Sequence, residues 1–345
     1  MMERPVKPWS SRMNNIAGSV LPPGARRSIR LDRVDFAILQ QMEQSALLAG
    51  NSCWERTGVP QHQITSRIRK LEKKNVLRTQ ALLNIDACGQ DLAHFYIRVS
   101  DRSISQVARD VARLPATLTV AVTRRNGHIL ASARVSRQSS CHDLIEAISL
   151  IEGVSSVASE MVLRQIVTHI NHTRLETLSS AEDAGPPGED LCESFGGLLD
   201  ELDTAIVTRL QKDSKSSNRK IAEQLGVSEG AIRYRLKKLQ ERNLLRFVTT
   251  VDPNILGLNH WAWLKLDVSP RRRNEVIALL KDSDCSKYIA VTTGSDALVC
   301  LTLTGNSREL NAFIDDELLA FEGVRSVSAA PIIATHKFDQ RWGCF

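Results

Sequence analysis

The chain has 345 residues, of which 42% are hydrophobic and 24% are charged, with a formal net charge of +6. This composition is ordinary for a globular protein of two or three domains. No run of 18 apolar residues occurs, which excludes a typical membrane-spanning helix. The positive charge permits a polyanionic partner but does not by itself indicate one.

Seven cysteines are scattered along the chain without a C-x-x-C pair. An odd, scattered set argues against a disulfide framework and a structural zinc site, and favours a reducing cytoplasm. The basic N-terminal region lacks the continuous apolar segment of a secretory signal. We therefore predict a cytoplasmic protein with no metal, no cofactor and no catalytic residues.

A near repeat dominates the sequence. Leu31 to Arg78 aligns without a gap on Leu199 to Arg246, at a constant offset of 168 residues. We therefore predict a tandem duplication of two units. The predicted segments, in order, are a disordered basic tail (1–30), head one (31–82), module one (83–170), an acidic linker (171–197), head two (198–250), module two (251–337) and a C-terminal tail (338–345). An alternative for the basic tail is an arm that contacts DNA phosphates.

Head two has the pattern of three short helices with a helix-turn-helix. Ser228 suits a helix N-cap, Gly226 suits a tight turn, and Ala222 is small where two helices must approach. The outer face of the third helix is basic, and such a helix enters the major groove of DNA. The alternative is a solvated basic face on a plain three-helix bundle. The predicted DNA-binding residues of head two are Ser228, Glu229, Arg233, Tyr234, Lys237 and Lys238.

Head one keeps the third helix but departs in the second. Trp54 stands where head two has Ala222, and a large side chain at a close helix crossing should splay the helices or turn outward. We therefore expect weaker DNA contact from head one, although two equal heads remain an alternative. Its predicted DNA-binding residues are Gln61, His62, Thr65, Ser66, Arg69 and Lys70.

After each head the pattern changes to alternating strands and two helices. In module one these follow the order β-α-β-β-α-β from Leu92 to Thr168, and module two repeats the order from His260 onward. This is the ferredoxin-like order. The predicted fold class is α+β: two tandem units, each a winged-type helix-turn-helix domain followed by a ferredoxin-like βαββαβ domain.

Both units resemble the Lrp/AsnC family, the feast/famine transcriptional regulators. The resemblance rests on LDELD at Leu199–Asp203, on NRKIAEQLGVSEGAIRYRLKKLQERNLL from Asn218, and on the hairpin VTTGSDALV at Val291–Val299. In unit one it rests on LDRVD from Leu31 and ITSRIRKLEKKNVL from Ile64. The resemblance implies an N-terminal DNA-binding domain and a C-terminal domain for ligand binding and assembly. Most members have a single unit, so the fused pair is a departure.

In such regulators the turn between the central strands of the second domain helps to bind an amino acid. Here the resemblance implies a ligand site at Thr293, Gly294, Ser295 and Asp296. Glycine permits positive φ and close approach, free backbone N–H groups suit a carboxylate, and Asp296 suits an ammonium group. The alternative is an ordinary hairpin whose aspartate bonds to its own turn.

The resulting hypothesis is a sequence-specific DNA-binding regulator whose partners are double-stranded DNA and a small effector. The two modules are predicted to pack face to face as an intrachain pseudo-dimer, and a higher homo-oligomer of such pseudo-dimers is the alternative to a single chain. One rival is enzymatic, because some sirohaem decarboxylases share this architecture. The only residues that hint at it are His94, His260 and Arg98, and the two histidines recur at the starts of corresponding strands. A second rival is an assembly protein whose heads no longer bind DNA.

Overall fold

The computed structural model describes residues 31–44, 58–74, 76–124, 128–136, 140–168, 199–295, 298–339 and 342–343. The predicted basic tail, the predicted linker and the second helix of head one, with Trp54, lie outside these residues. No helix in the described ranges is long and apolar enough to cross a membrane.

The first half of the chain runs from two head helices into a β-rich module. Its elements are α1 (Arg33–Gln44), α2 (Gln61–Lys73), β1 (Leu77–Asn84), β2 (Asp91–Val99), α3 (Ile104–Arg113), β3 (Thr117–Thr123), β4 (Ile129–Val135), α4 (Cys141–Ser149) and β5 (Val154–Thr168).

The second half has the same order with all three head helices described. Its elements are α5 (Glu201–Lys212), α6 (Asn218–Leu225), α7 (Glu229–Glu241), β6 (Arg246–Val251), β7 (His260–Val268), α8 (Arg273–Asp282), β8 (Ser286–Thr292), β9 (Leu298–Thr304), α9 (Ser307–Ala312), a π-helical turn (Phe313–Leu318), β10 (Val324–Phe338) and β11 (Trp342–Gly343).

Each module is a four-stranded antiparallel sheet with its helices on one face. The strand order is β3-β4-β2-β5 in module one and β8-β9-β7-β10 in module two. Successive strand residues point to opposite faces. Phe95 and Ile97 therefore pack under α3 and α4 with Val107 and Ile148, whereas Tyr96 faces the other way.

The two sheets close into one eight-stranded barrel. β5 of module one pairs with β8 of module two, and β10 of module two pairs with β3 of module one. The faces away from the helices enclose a small shared cluster of Leu130, Trp263, Ala290, Val299 and Ala330. The two sheets therefore face each other, and the sequence did not predict that their edges also pair, which satisfies the N–H and C=O groups that unpaired edges leave free.

A second β-structure joins the two heads. β1 pairs antiparallel with β6, from Leu77–Val251 to Leu82–Arg246, and β11 adds to β1 in parallel. The predicted boundary at residue 82 therefore falls inside a strand. The prediction of a tail from residue 338 was also wrong in part, since β10 ends at Phe338 and Trp342–Gly343 is paired.

The two heads also touch directly. The Ser214 hydroxyl donates to the carbonyl oxygen of Thr79 at 2.6 Å, and the Lys215 ammonium pairs with the Glu72 carboxylate. These contacts join the turn between α5 and α6 to head one. The separation of the two heads is therefore set by the fold of one chain.

Candidate nucleic-acid interface

The recognition helix of head two, α7, is held by a capped turn. The Ser217 side chain accepts from the backbone N–H of Lys220 and starts α6, which ends at Gly226 with φ of +68°. This left-handed conformation suits glycine, because a Cβ would be strained there. The Ser228 side chain then accepts from the backbone N–H of Ala231 at 3.1 Å and starts α7.

The inner face of α7 packs into the head. One buried cluster contains Ile232 and Leu239 of α7 together with Ile221 and Ala222 of α6. Ala222 is 4% exposed, so a small side chain does stand where α6 meets α7. Packing on this face leaves the opposite side of α7 in solvent.

The outward side of α7 carries every residue predicted to bind DNA in head two: Ser228, Glu229, Arg233, Tyr234, Lys237 and Lys238 are all exposed. Two of its cations pair along the helix, Arg233 with Glu229 at 2.7 Å and Lys237 with Glu241 at 3.5 Å. Such exposed pairs contribute little stability and exchange readily for other anions. Tyr234 is 65% exposed and adds an aromatic contact surface to the same helix.

One arginine of α7 points the other way and anchors the helix. Arg235 bonds to the carboxylates of Asp200 and Asp203, with the Asp203 contact at 3.2 Å. Head one repeats this anchor, since Arg67 meets Asp32 at 2.6 Å and Asp35 at 2.7 Å. The anchor was not predicted from the sequence, although the LD-x-x-D pattern and the arginine recur in both heads at the same offset.

The anchor shifts the ionisation of its partners. Partial burial disfavours the charged form of Asp200, but the backbone N–H of Asp203 and the Arg235 guanidinium together outweigh it, so the pKa of Asp200 is lowered. The same opposing causes, with Asp35 and Arg67 as the partners, lower the pKa of Asp32. Both heads therefore depend on an ionised aspartate at the start of their first helix.

Head one presents a comparable but less basic face on α2. Its predicted DNA-binding residues, Gln61, His62, Thr65, Ser66, Arg69 and Lys70, are all exposed. The Thr65 hydroxyl donates to the Gln61 carbonyl oxygen at 2.9 Å, so it is partly used inside the helix. A cavity of about 370 Å³ opens between α1 and α2, lined by Leu31, Asp32, Asp35, Ser66, Arg67 and Lys70.

The predicted ligand turn contacts the other module. The Thr293 N–H donates to the Met161 carbonyl oxygen, and the Thr293 hydroxyl accepts from the Met161 N–H, each at 3.0 Å. A Cβ at Gly294 would lie 2.2 Å from Glu160 Oε1, so the close approach is to this carboxylate. Gly294 is not among the glycines with positive φ, and that part of the prediction was wrong. Ser295 is exposed, and Asp296 lies outside the described residues.

A polar cluster lies at the junction of the modules. His94 Nδ1 is 2.9 Å from the Ser132 hydroxyl, and His94 Nε2 is 2.9 Å from the Tyr288 hydroxyl. Burial, with a further contribution from the Lys265 charge, lowers the pKa of His94 to about 3. The Trp263 ring meets His94 edge-on and stacks on Tyr288. His94 is therefore neutral at physiological pH, with both nitrogens engaged.

The cluster continues into a buried ion pair. Lys265 Nζ lies 2.6 Å from Glu160 Oε1, and the Tyr96 hydroxyl donates to Glu160 Oε2 at 3.1 Å. These residues were not predicted from the sequence, because β7 carries Asp267 as well as Lys265 and no local pattern marks the lysine as buried. The prediction for the histidines was wrong: β7 begins at His260 and β2 at Asp91, so the counterpart of His94 in the strand register is Trp263.

In head two, α6, the Gly226 turn and α7 form the helix-turn-helix arrangement of a DNA-binding domain, and it is carried on a strand-closed barrel. Residues 199–240 match the AsnC-type helix-turn-helix domain. The HTH-type transcriptional regulator FL11 of Pyrococcus abyssi is 34% identical over 140 residues, which are 40% of this chain and 92% of that protein. The regulator Ptr1 of Methanocaldococcus jannaschii is 28% identical over 41% of this chain and 95% of that protein.

The chain belongs to the Lrp/AsnC family of helix-turn-helix transcriptional regulators. A solved structure matches almost the whole chain: the siroheme decarboxylase NirDL superimposes with a TM-score of 0.65, covering 90% of this chain and 94% of that chain, at 15% sequence identity. At this identity the match shows a shared fold. Within the described residues, no three His, Cys, Asp or Glu side chains are grouped to hold a metal ion.

The aspartate anchors predict acid sensitivity of the heads. A carboxylate whose pKa is lowered by folding stabilises the protein above its unfolded value of about 3.9, and this stabilisation is lost as the pH falls further. The denaturant concentration at the midpoint of unfolding, measured by circular dichroism, should fall in the wild-type protein as the pH drops from about 5 to about 2. We expect a smaller fall in Asp200→Asn. Asp316→Asn, at an exposed aspartate of the π-helical turn, is the control. Equal pH profiles for the two variants would contradict the anchor.

Proposed function

We propose that this chain is a sequence-specific DNA-binding transcriptional regulator whose two units act as an intrachain pseudo-dimer. The observation that carries the proposal is α7: a capped helix, anchored from behind by Arg235, that presents Arg233, Tyr234, Lys237 and Lys238 to solvent. Arginine and lysine on such a helix meet phosphates and guanine edges in the major groove. Family membership supports the same activity.

The pseudo-dimer follows from a duplication of one ancestral unit. Relatives such as FL11 align over 92% of their length with only 40% of this chain, so each corresponds to a single unit. The repeated heads, the repeated aspartate anchors and the reciprocal strand pairing support this origin. Because the heads differ in sequence, they would read two unlike half-sites.

Binding should depend on the cations of α7. Arg233→Ala and Lys237→Ala are each expected to weaken binding by about 1–3 kcal/mol where the side chain reads a base, or to reduce the salt dependence by about one ion where it meets a phosphate. DNase footprinting and anisotropy titrations over the gene's own upstream region, at several salt concentrations, measure both effects. The control is Arg308→Ala, which removes one positive charge at an exposed position of module two. It should change neither the affinity for DNA nor its salt dependence.

Head one should contribute less. Arg69→Ala and Lys70→Ala are expected to have smaller effects than the two changes in α7, because the rest of the α2 face is uncharged or partly engaged. Absence of site-selective protection by the wild-type protein at low salt would contradict the regulator proposal as a whole.

We also propose a small effector, amino-acid-like in its chemistry, at the turn of Ser295 and Asp296. Thr293 and Gly294 also belong to the proposed site. They already contact Met161 and Glu160 of module one, so they would support the turn beneath the ligand. A ligand there would act on the junction of the modules. Calorimetry against the twenty amino acids should detect binding that Asp296→Ala removes and Asp316→Ala retains; heats that do not differ between the variants would reject this site.

A second candidate is a sirohaem decarboxylase, favoured by the near-complete structural match to NirDL. The three residues that hinted at it differ in their environment: His94 is buried, His260 is half-buried and Arg98 is exposed. His94 also has both ring nitrogens engaged, and Trp263 and Tyr288 fill the space beside it. These contacts favour the regulator.

The decarboxylase is tested by titrating the protein with sirohaem. As a regulator the chain should give no shift of the Soret band and no loss of substrate carboxylates by mass spectrometry. A saturable Soret shift that His94→Ala removes, together with decarboxylated product, would establish the enzyme instead. His142→Ala, at an exposed histidine of α4, is the matched control.

A further inference from the structure

The polar cluster lies at the seam, which is the surface where the two modules meet. The two modules contribute different residues to it. Glu160 comes from β5 of module one, and Lys265 comes from β7 of module two. Their side chains are 11% and 13% exposed and lie 2.6 Å apart. Tyr96 and Thr292 also donate to Glu160, so the carboxylate is bound from both modules.

The strand registers show which residues are equivalent in the two modules. In module one, His94 stands opposite Glu160 and Tyr96 opposite Ala158. In module two, Trp263 stands opposite Ala330 and Lys265 opposite Ser328. Glu160 is therefore replaced by Ala330, Tyr96 by Lys265 and His94 by Trp263. The carboxylate occurs only in module one, and the ammonium only in module two.

A barrel of two identical modules would lack this complementarity. Two copies of module one would bury two Glu160 carboxylates, each facing Tyr96 where Lys265 now lies. Two copies of module two would bury two Lys265 ammonium groups, each beside Ala330. A buried charge without its partner is strongly unfavourable, whereas the matched pair is tolerated.

The side-chain volumes at the centre of the seam also favour unlike modules. His94 and Trp263 occupy equivalent positions and touch, with ring centroids 4.9 Å apart. Two copies of module two would bring two indoles together there, and extra volume in a packed interior forces neighbouring groups apart. Two copies of module one would lose the Tyr288 hydroxyl that bonds to His94.

We propose that this seam is a heterotypic recognition surface: module one binds module two and rejects a second copy of itself. The partner that fits module one is thus a module with a lysine at the position of Lys265 and a small residue at the position of Ala330. The seam thereby prevents a two-unit chain from assembling through like modules, which would put identical heads together. It does so through charge and volume, independently of DNA binding.

Partner choice can be measured on nicked protein. A protease site is inserted within residues 171–197, the folded chain is cleaved, and two populations with different mass tags are mixed, unfolded in denaturant and refolded. Native mass spectrometry should find pairs of unlike halves, with like pairs below about one tenth of the total. Pairing at the statistical ratio in the wild-type protein would overturn the proposal.

The matched variant carries Glu160→Gln and Lys265→Met, which remove both charges at similar size. The contacts between the heads are unchanged, so any difference reports the seam. We expect the fraction of like pairs to rise several-fold, toward the statistical value of about one half, since unfavourable charge is the main discriminating element. An unchanged fraction of like pairs would also overturn the proposal.

A second measurement uses the intact chain. Ala330→Glu places a carboxylate across the seam in the cluster with Tyr96, where module one has no counterpart of Lys265, and should lower the thermal midpoint by about 5 °C or more. Adding Tyr96→Lys should restore at least half of that loss. The same lysine should give no recovery in Ala330→Gln, which has the same size without the charge. Equal recovery in both backgrounds, or none in either, would contradict the proposed charge complementarity.

Discussion

Reciprocal pairing of sheet edges is the constraint on which the rest of this molecule depends. A four-stranded antiparallel module leaves two edges with unsatisfied backbone groups, and each edge here is completed by the other module. Closing the barrel removes all four edges at once and buries the two inner faces against each other. Neither module has this environment when it is alone.

Closure of the barrel also fixes the position of one head relative to the other. β1 and β6 continue from the recognition helices into a common ribbon, and the Lys215–Glu72 pair and the Ser214–Thr79 bond fasten one head to the other. The distance between recognition helices is thus a property of one polypeptide. Two heads carried by one chain need not be identical, and the outer faces of α2 and α7 do differ in sequence.

Much of the local structure could be predicted because its causes are local. Ser228 caps α7, Gly226 ends α6 and Ala222 allows the close crossing, and each needs only a few neighbouring residues. The β-α-β-β-α-β order also follows from alternation along the chain. The aspartate anchors of Arg67 and Arg235 were missed because their ion pairs span more than thirty residues, and only packing of the first helix on the third brings them together.

The sequence by itself determined that the chain has two related units, each with a basic helical head and an alternating module, because these properties repeat at a fixed offset and obey short-range periodicity. Only the tertiary structure decided how the units join, that Gly294 approaches Glu160, and that Glu160 and Lys265 form one buried pair. The physical reason is that the strand pairs joining the two modules, unlike helix caps, bring together residues more than a hundred positions apart, so no local pattern identifies them.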